Sequence, residues 1–425
     1  MWTNLRDIVR LSPGSEPEYV DKSLDELWST SMDSPWIAFD VDLNRMSPAF
    51  WMELGEARSK CDHLARVPMP PSYARELHEI NLSKGVHATT AIEGNTLSEE
   101  EVIAILRRRS TSPAADYQVR EVENVVAAYN SVLGLLGAGE APQLTPELVR
   151  QFNCQVLEGL ELLPEVRPGE TRHHSVTVGA YRAPDWERCD ELVQKMCDWL
   201  NGPSFSGDGT MRIPVAIIKA SLAHLYLAWI HPFGDGNGRT ARLCEFLVLV
   251  TCGVPTSAAH LISNHCNKTR DEYYKQLQYA SESGGDVTRF LSYCSSGFVE
   301  GLGEQLRWIY DRQFRLTWHE YVGSQVTGRD PDMRERRALI AEVLLFCEPV
   351  AKKDIPRLTP ELAEIYAASG PKTLARDLNE LVSIGLLRAV DGRYRADSDA
   401  LMSLLPLSVS PDGGTRSTNP PVEAR

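Results

Sequence analysis

Between Pro214 and Ile230 the chain reads PVAIIKASLAHLYLAWI, a helix-length run with apolar side chains on nearly every face. A helix of this kind cannot lie on a surface, so it is expected at the centre of its domain with other helices around it. Apolar residues recur at three- and four-residue spacing in Glu121–Leu136, Pro146–Leu157, Cys189–Leu200, Ala241–Cys252 and Asp271–Ala280, which makes the region from about 72 to 320 mainly α. One island interrupts it: HHSVTVGAYRAP, 173–184, is short, β-branched and flanked by turn residues, and reads as a hairpin. Residues 1–71 carry Pro and Trp with weak periodicity and are expected to wrap over the core as an extension. Residues 406–425 are a polar Pro/Gly/Ser tail, expected to be disordered.

Charge and cysteine usage narrow the class. The balance of 44 basic against 58 acidic residues gives −14, which argues against nucleic acid as the ligand of the whole chain. Nine cysteines without a Cys-x-x-Cys pair suggest neither a zinc site nor a disulfide framework, and fit a reducing cytoplasm. The start, MWTNLRDIVRLSPGSEPEY, has no apolar signal core. The apolar run from Leu222 to Val250 is broken by His224, His231, Asp235, Arg239, Arg242 and Glu245, so no ordinary membrane span is expected.

The central helix runs into HPFGDGNGRTAR, 231–242. His231 precedes Pro232, which pushes it out of helical geometry and leaves the imidazole at a helix end. Gly234, Gly236 and Gly238 let the following backbone take conformations that bring N–H groups together as an anion nest. A second helix expected from about Arg239 points its positive end at the same spot. Arg239 and Arg242 share one face of that first turn, where the dipole and their mutual repulsion disfavour them unless an anion is bound. Asp235 adds a hard oxygen ligand of the type Mg²⁺ uses beside phosphates.

His231, Pro232, Phe233, Asp235, Gly236, Asn237, Gly238, Arg239 and Arg242 resemble, without departure, the signature His-Pro-Phe-x-Asp-Gly-Asn-Gly-Arg-x-x-Arg of Fic domains. The resemblance implies a mainly α, Fic-type helical bundle with a small β-hairpin flap, and transfer of AMP from ATP to a protein Ser, Thr or Tyr hydroxyl. It implies His231 as general base, Asp235 as the Mg²⁺ ligand, and Phe233 as an anchor of the loop. Gly234, Gly236, Asn237, Gly238, Arg239 and Arg242 would hold the phosphates. The core would span 144–320.

Two further stretches extend the likeness. RPGETRHHSVTVGAYRAP, 167–184, looks like the Fic flap, in which Val176, Thr177, Val178 and Gly179 would receive the target segment as an added strand. In TTAIEGNTLSEEEV, 89–102, a helix from about Ser72 is expected to stop at Gly94–Asn95, and Ser98 with Glu101 forms a capping box for the next. Glu93 would then sit in the last turn, against a dipole that disfavours it by about 0.3–1 kcal/mol. Thr89, Glu93 and Gly94 match the inhibitory motif [Ser/Thr]-x-x-x-Glu-[Gly/Asn] of the family, within 72–143 here. The resemblance implies that Glu93 pairs with Arg242 and blocks the γ-phosphate subsite. Tyr273 and Tyr274 lie where the family often lines its adenine pocket, with core packing the alternative for at least one. His224 reads as a satisfied core histidine.

Residues 333–400 form a separate pattern. Leu374, Leu378, Leu381 and Ile384 make one helical stripe, Gly385 ends it, and LLRAV-DG-RYRAD is a strand–turn–strand. The pattern resembles a winged helix-turn-helix, an α+β domain with recognition helix at 371–383. Its 11 Lys/Arg against 11 Asp/Glu net to zero, a poor footprint for DNA, so a role in protein contact or a homodimer stays equally open. The expected partners are ATP and a protein, the chain itself included. The competing reading is a nucleotide-sensing transcriptional regulator, or a Fic enzyme that removes AMP or transfers another phosphate-containing group.

Overall fold

A computed structural model of the chain describes residues 34–108, 117–179, 181–370 and 372–402. The expected tail at 406–425, and residues 1–33 of the expected extension, lie outside the described residues. The chain divides into two compact units, Met1–Leu306 and Arg307–Arg425.

In the first unit the helices are α1 (Pro48–Arg66), α2 (Pro71–Ala91), α3 (Glu99–Arg108), α4 (Tyr117–Gly137), α5 (Pro146–Leu157), α6 (Cys189–Leu200), α7 (Arg212–Ile230), α8 (Asn237–Thr251), α9 (Leu261–Lys268), α10 (Arg270–Glu282) and the beginning of α11 (Thr288–Gln325). The helix α7 is the apolar run of the sequence, and Ala216, Ala220, Leu222, Ala223, Leu225 and Ile230 have no exposure at all. Helices α1, α6 and α8 pack on it, and α8 is in turn covered by α2, α4 and α5. Among the described residues, the helical segment 209–230 is the one long and apolar enough to cross a bilayer, and most of it is buried inside this unit.

The weakly periodic N-terminal region contains α1, a 19-residue helix that the sequence reading did not place. Its start is well specified: Ser47 accepts from Phe50 N at 3.2 Å and Pro48 occupies the first turn. Phe50, Leu54, Ala57, Cys61 and Leu64, spaced by three and four, form its buried stripe. Exposed Trp51 and Met52 beside that stripe blur the pattern.

The hairpin island is present as β1 (Thr177–Val178) and β2 (Tyr181–Arg182), antiparallel, with Thr177 opposite Arg182 and Val178 opposite Tyr181. Gly179 turns the chain with φ 59°. The Ser98–Glu101 capping box also forms: Ser98 N donates to Glu101 Oε2 at 2.8 Å and Glu101 N to Ser98 Oγ at 3.2 Å.

The second unit begins inside α11, not between 320 and 333 as the expected domain limits had it. The reason is packing: Trp318, Val322 and Val326 near the end of this helix belong to the core built with Ile340, Leu344, Ile355 and Leu362. After α12 (Pro331–Val343) come β3 (Val350–Ala351), α13 (Pro360–Ala367), α14 (Thr373–Ser383), β4 (Leu387–Val390) and β5 (Arg393–Ala396). The sheet order is β3-β5-β4, antiparallel throughout. Asp391 and Gly392 both take positive φ, 50° and 74°, as the Asp-Gly hairpin turn requires. Leu378 and Leu381 of the expected stripe are buried, with Leu374 and Ile384 packed at the edge.

Candidate active site

The site starts where α7 stops. His231 takes the left-handed conformation (φ 49°, ψ 56°), and its N–H closes on Leu227 O at 3.0 Å. This conformation is costly for a residue with a side chain and persists where surroundings enforce it. Here Pro232 forbids continuation of the helix, and the loop beyond is tied down at several points. Phe233 is buried; its N–H donates to Asn237 Oδ1 at 2.9 Å, and its carbonyl accepts from Asn237 Nδ2 at 2.8 Å. Asn153 on α5 donates from Nδ2 to Asp235 O at 2.9 Å and accepts from Gly169 N at 2.9 Å. Gly236, at φ 76°, then caps α8, which starts at Asn237, two residues earlier than the sequence suggested.

The two arginines near the start of α8 are buried and already engaged. Arg239 places Nη1 2.7 Å from Glu121 Oε1 and Nη2 3.0 Å from Asp235 Oδ1. Glu121 Oε2 also accepts from Asn95 Nδ2 at 2.8 Å. Burial lifts the Glu121 carboxyl above its ordinary value, and Arg239 only partly offsets this. Arg242 donates from Nη2 to Thr89 O at 3.0 Å and to Glu93 Oε1, while its Nε is buried without a partner.

Glu93 stands just past the end of α2, not within its last turn. The helix closes at Ala91, Glu93 N bonds Thr90 O at 3.0 Å, and Gly94 turns the chain with φ 98°. Leaving the helix relieves the unfavourable dipole and lets the side chain reach the positive end of α8 instead. A Cβ at Gly238 would lie 2.0 Å from Glu93 Oε1, so glycine there is what admits the carboxylate. Burial pushes the Glu93 carboxyl up, but Arg242 and Arg239 outweigh it and hold it below the usual carboxylate range. The turn is pinned through Ile92 O, which accepts from Arg270 Nη2 and from Tyr274 Oη at 3.5 Å. Thr89 Oγ1 lies 2.9 Å from Tyr129 Oη.

Burial, reinforced by the Arg172 charge, pushes the His231 imidazole down to about 4, against the opposing pull of Ala228 O, Glu93 and Asp235. The ring is therefore neutral near pH 7. Its Nδ1 lies 3.4 Å from Ala228 O, so a proton on Nδ1 faces that carbonyl and leaves Nε2 as the acceptor.

The other sequence candidates fall as follows. Val176 is buried; Thr177 and Gly179 are exposed, with Val178 between. Tyr273 packs inside, its hydroxyl 2.9 Å from His224 Nε2, while His224 Nδ1 lies 2.6 Å from Glu245 Oε2. Tyr274 is the half-exposed member of the pair. Sequence reading passed over Arg172, Asn153, Glu121 and Arg270, which hold the loop and the turn. Each acts on a partner 59 or more residues away in the chain, and no local pattern marks such contacts.

An imidazole at the end of one helix, two buried arginines at the start of the next and a small hairpin thus belong to one helical unit. Residues 143–249 match the model of the Fic/DOC family. It is similar to protein adenylyltransferase fic-1 of Caenorhabditis briggsae, 33% identical over 261 residues, which is 60% of this chain and 46% of that one. Its namesake in Caenorhabditis elegans is 32% identical over 212 residues, 49% of this chain and 38% of that one. The chain thus spans less than half the length of these curated relatives. A Fic family protein from Desulfovibrio desulfuricans G20 shares the fold with a TM-score of 0.50 at 20% identity, over 83% of this chain and 96% of that one.

Proposed function

We propose that the chain is a protein adenylyltransferase held inactive by Glu93. The observation that carries this reading is the carboxylate of Glu93 lying on Arg242 beside Gly238, at the positive end of α8. A phosphate of ATP would seek the same place. In the active state Glu93 leaves Arg242, the phosphates take its seat, and the backbone of Gly236–Gly238 with Arg239 neutralises the developing charge. The target hydroxyl oxygen attacks the α-phosphorus, its proton passes to His231 Nε2, and the bond to pyrophosphate breaks in line.

Asp235 fits the part of a Mg²⁺ ligand. Its side chain is 41% exposed, with Oδ1 already shared between Gly236 N and Arg239. Among the described residues no cluster of three or more His, Cys, Asp or Glu could hold a metal unaided. A single carboxylate completed by phosphate oxygens and water is the arrangement Mg²⁺ favours, and the ion would supply charge neutralisation at the phosphates. The exposed Thr177 of β1, with Gly179 of the turn that follows, is suited to pairing with an extended target segment.

For the second unit we infer a winged-helix arrangement, with α14 as the candidate recognition helix. Arg376 and Asn379 face outward on it and Asp377 inward. The balanced charge favours a protein contact or a second copy over DNA. Nine free thiols suit a cytoplasmic setting.

The test is intact mass of the purified chain after incubation with ATP and Mg²⁺. The Glu93→Gly variant should gain an AMP group on itself or on an added protein, and a Glu93→Gly variant that hydrolyses nothing and modifies nothing overturns the reading.

A further inference from the structure

Arg172 lies between the segment that ends α5 and the hairpin, and it is 2% exposed. Among the described residues its guanidinium bonds to main-chain carbonyls alone: Nε donates to His231 O at 2.8 Å, Nη1 to His174 O and Nη2 to Pro184 O. Its own N–H donates to Pro232 O at 2.9 Å, and the preceding Thr171 pairs with Phe233 as an isolated antiparallel bridge. Burial pulls the Arg172 pKa down, as expected for a cation enclosed mostly by neutral acceptors. A buried cation that lacks a close carboxylate is expensive, and it is retained where a particular geometry has to be held.

The three acceptors are not equivalent. One is the carbonyl of the imidazole-bearing residue, itself in a left-handed conformation. The other two flank the hairpin on either side of β1 and β2. A single planar fork therefore spans the base and both ends of the segment suited to receive the target.

We propose that Arg172 is a positioning residue that holds the hairpin in register with His231, so that a hydroxyl on a bound segment meets the imidazole. This rests on the AMP-transfer reading above. Lysine cannot replace the fork, because one ammonium cannot reach three diverging carbonyls in fixed geometry.

The test places Arg172→Lys in the Glu93→Gly background and uses AMP transfer onto the chain itself, read by mass. The expected result is a kcat lower by about 10- to 100-fold, with KM for ATP within about threefold of the parent. Amide deuterium exchange should quicken at 174–184 and stay unchanged in the first turn of α8. A kcat within about threefold of the parent overturns the proposal, as does a rise in KM for ATP that matches the loss in kcat. If Glu93→Gly itself transfers no AMP, the activity reading fails and exchange alone decides. Quickening confined to the hairpin then supports the proposal, while no change, or quickening spread over the whole unit, overturns it.

Should Arg172→Lys not fold, Arg172→Gln is judged by the same criteria, and it adds a readout. The charges facing His231 are Arg172, Asp235 and, in the parent chain, Glu93. Removing the one cation among them moves the acid limb of the pH–rate curve upward; an unmoved limb counts against the contact.

Discussion

Two clusters of arginine and carboxylate, one at the start of α8 and one in the C-terminal unit, use the same groups to different ends. Asp377 on α14 is complete. Its Oδ1 accepts from Arg337 Nε at 3.0 Å and Arg336 Nη2 at 3.3 Å; its Oδ2 accepts from Arg336 Nε at 2.7 Å and Tyr366 Oη at 2.9 Å. Two cations serve one acid, and every part lies on or between helices of one small core. The α8 cluster is incomplete. Arg242 Nε is buried with no partner, and Glu93 hangs from a turn and stays 22% exposed. Three acids, Glu93, Glu121 and Asp235, crowd two arginines. A cluster that satisfies itself behaves as structure, whereas one whose cations can exchange partners behaves as a site.

The comparison breaks most visibly at His231. In the Glu93→Gly background, His231→Ala should cut AMP transfer by about 10²–10⁴-fold, measured as initial rate, while the melting temperature holds. If the rate survives, the imidazole is not the base.

The next effect belongs to the other cluster. Asp377→Ala leaves two arginines facing a vacated place and should cost about 3 kcal/mol of stability of the second unit by denaturant unfolding. Transfer by the first unit should be unchanged. Because Arg336 and Arg337 hold Asp377 below its usual range against burial, this contribution is present above the unfolded carboxyl pKa and lost as pH falls through the folded one.

Glu93→Gly should raise transfer by about 5- to 150-fold, the range of an ordinary coupling free energy, with little change in stability. A destabilisation as large as that of Asp377→Ala would mean that Glu93 is structural after all.

The smallest effect is in pH. Since the His231 imidazole is pushed down to about 4, the chain binds fewer protons folded than unfolded between that value and the ordinary histidine range. Stability should therefore decline as pH falls through this window, and His231→Asn should flatten part of that slope. The acid limb of the rate should lie well below the ordinary histidine value. A limb near 6.5 would show the imidazole to be wetter than its surroundings indicate.

The two regions also differed in legibility. The loop could be read because its features are local: His-Pro ends a helix, Gly236 turns the chain into the next one, and two arginines lie three residues apart near its start. The turn at Glu93 was legible by motif, but not its position just outside the helix, because a helix end shifts by a residue or two when a tertiary partner offers a better contact. Arg172 and Asn153 left no trace: their bonds to His231 O and Asp235 O span 59 and 82 residues, and the nearer bonds of Arg172 are to main-chain carbonyls, which no side-chain pattern marks. The Asp377 cluster was equally hidden: the leucine stripe marked the buried face of α14, and nothing in a leucine pattern announces that an acid between Arg376 and Leu378 turns inward.

The most direct test of the account follows α-labelled ATP with wild type, Glu93→Gly and Glu93→Gly/His231→Ala, counting label on total protein. Strong labelling is expected with Glu93→Gly, weak labelling with wild type and none above background with the double variant. Equal labelling by all three, or none by any, would contradict it.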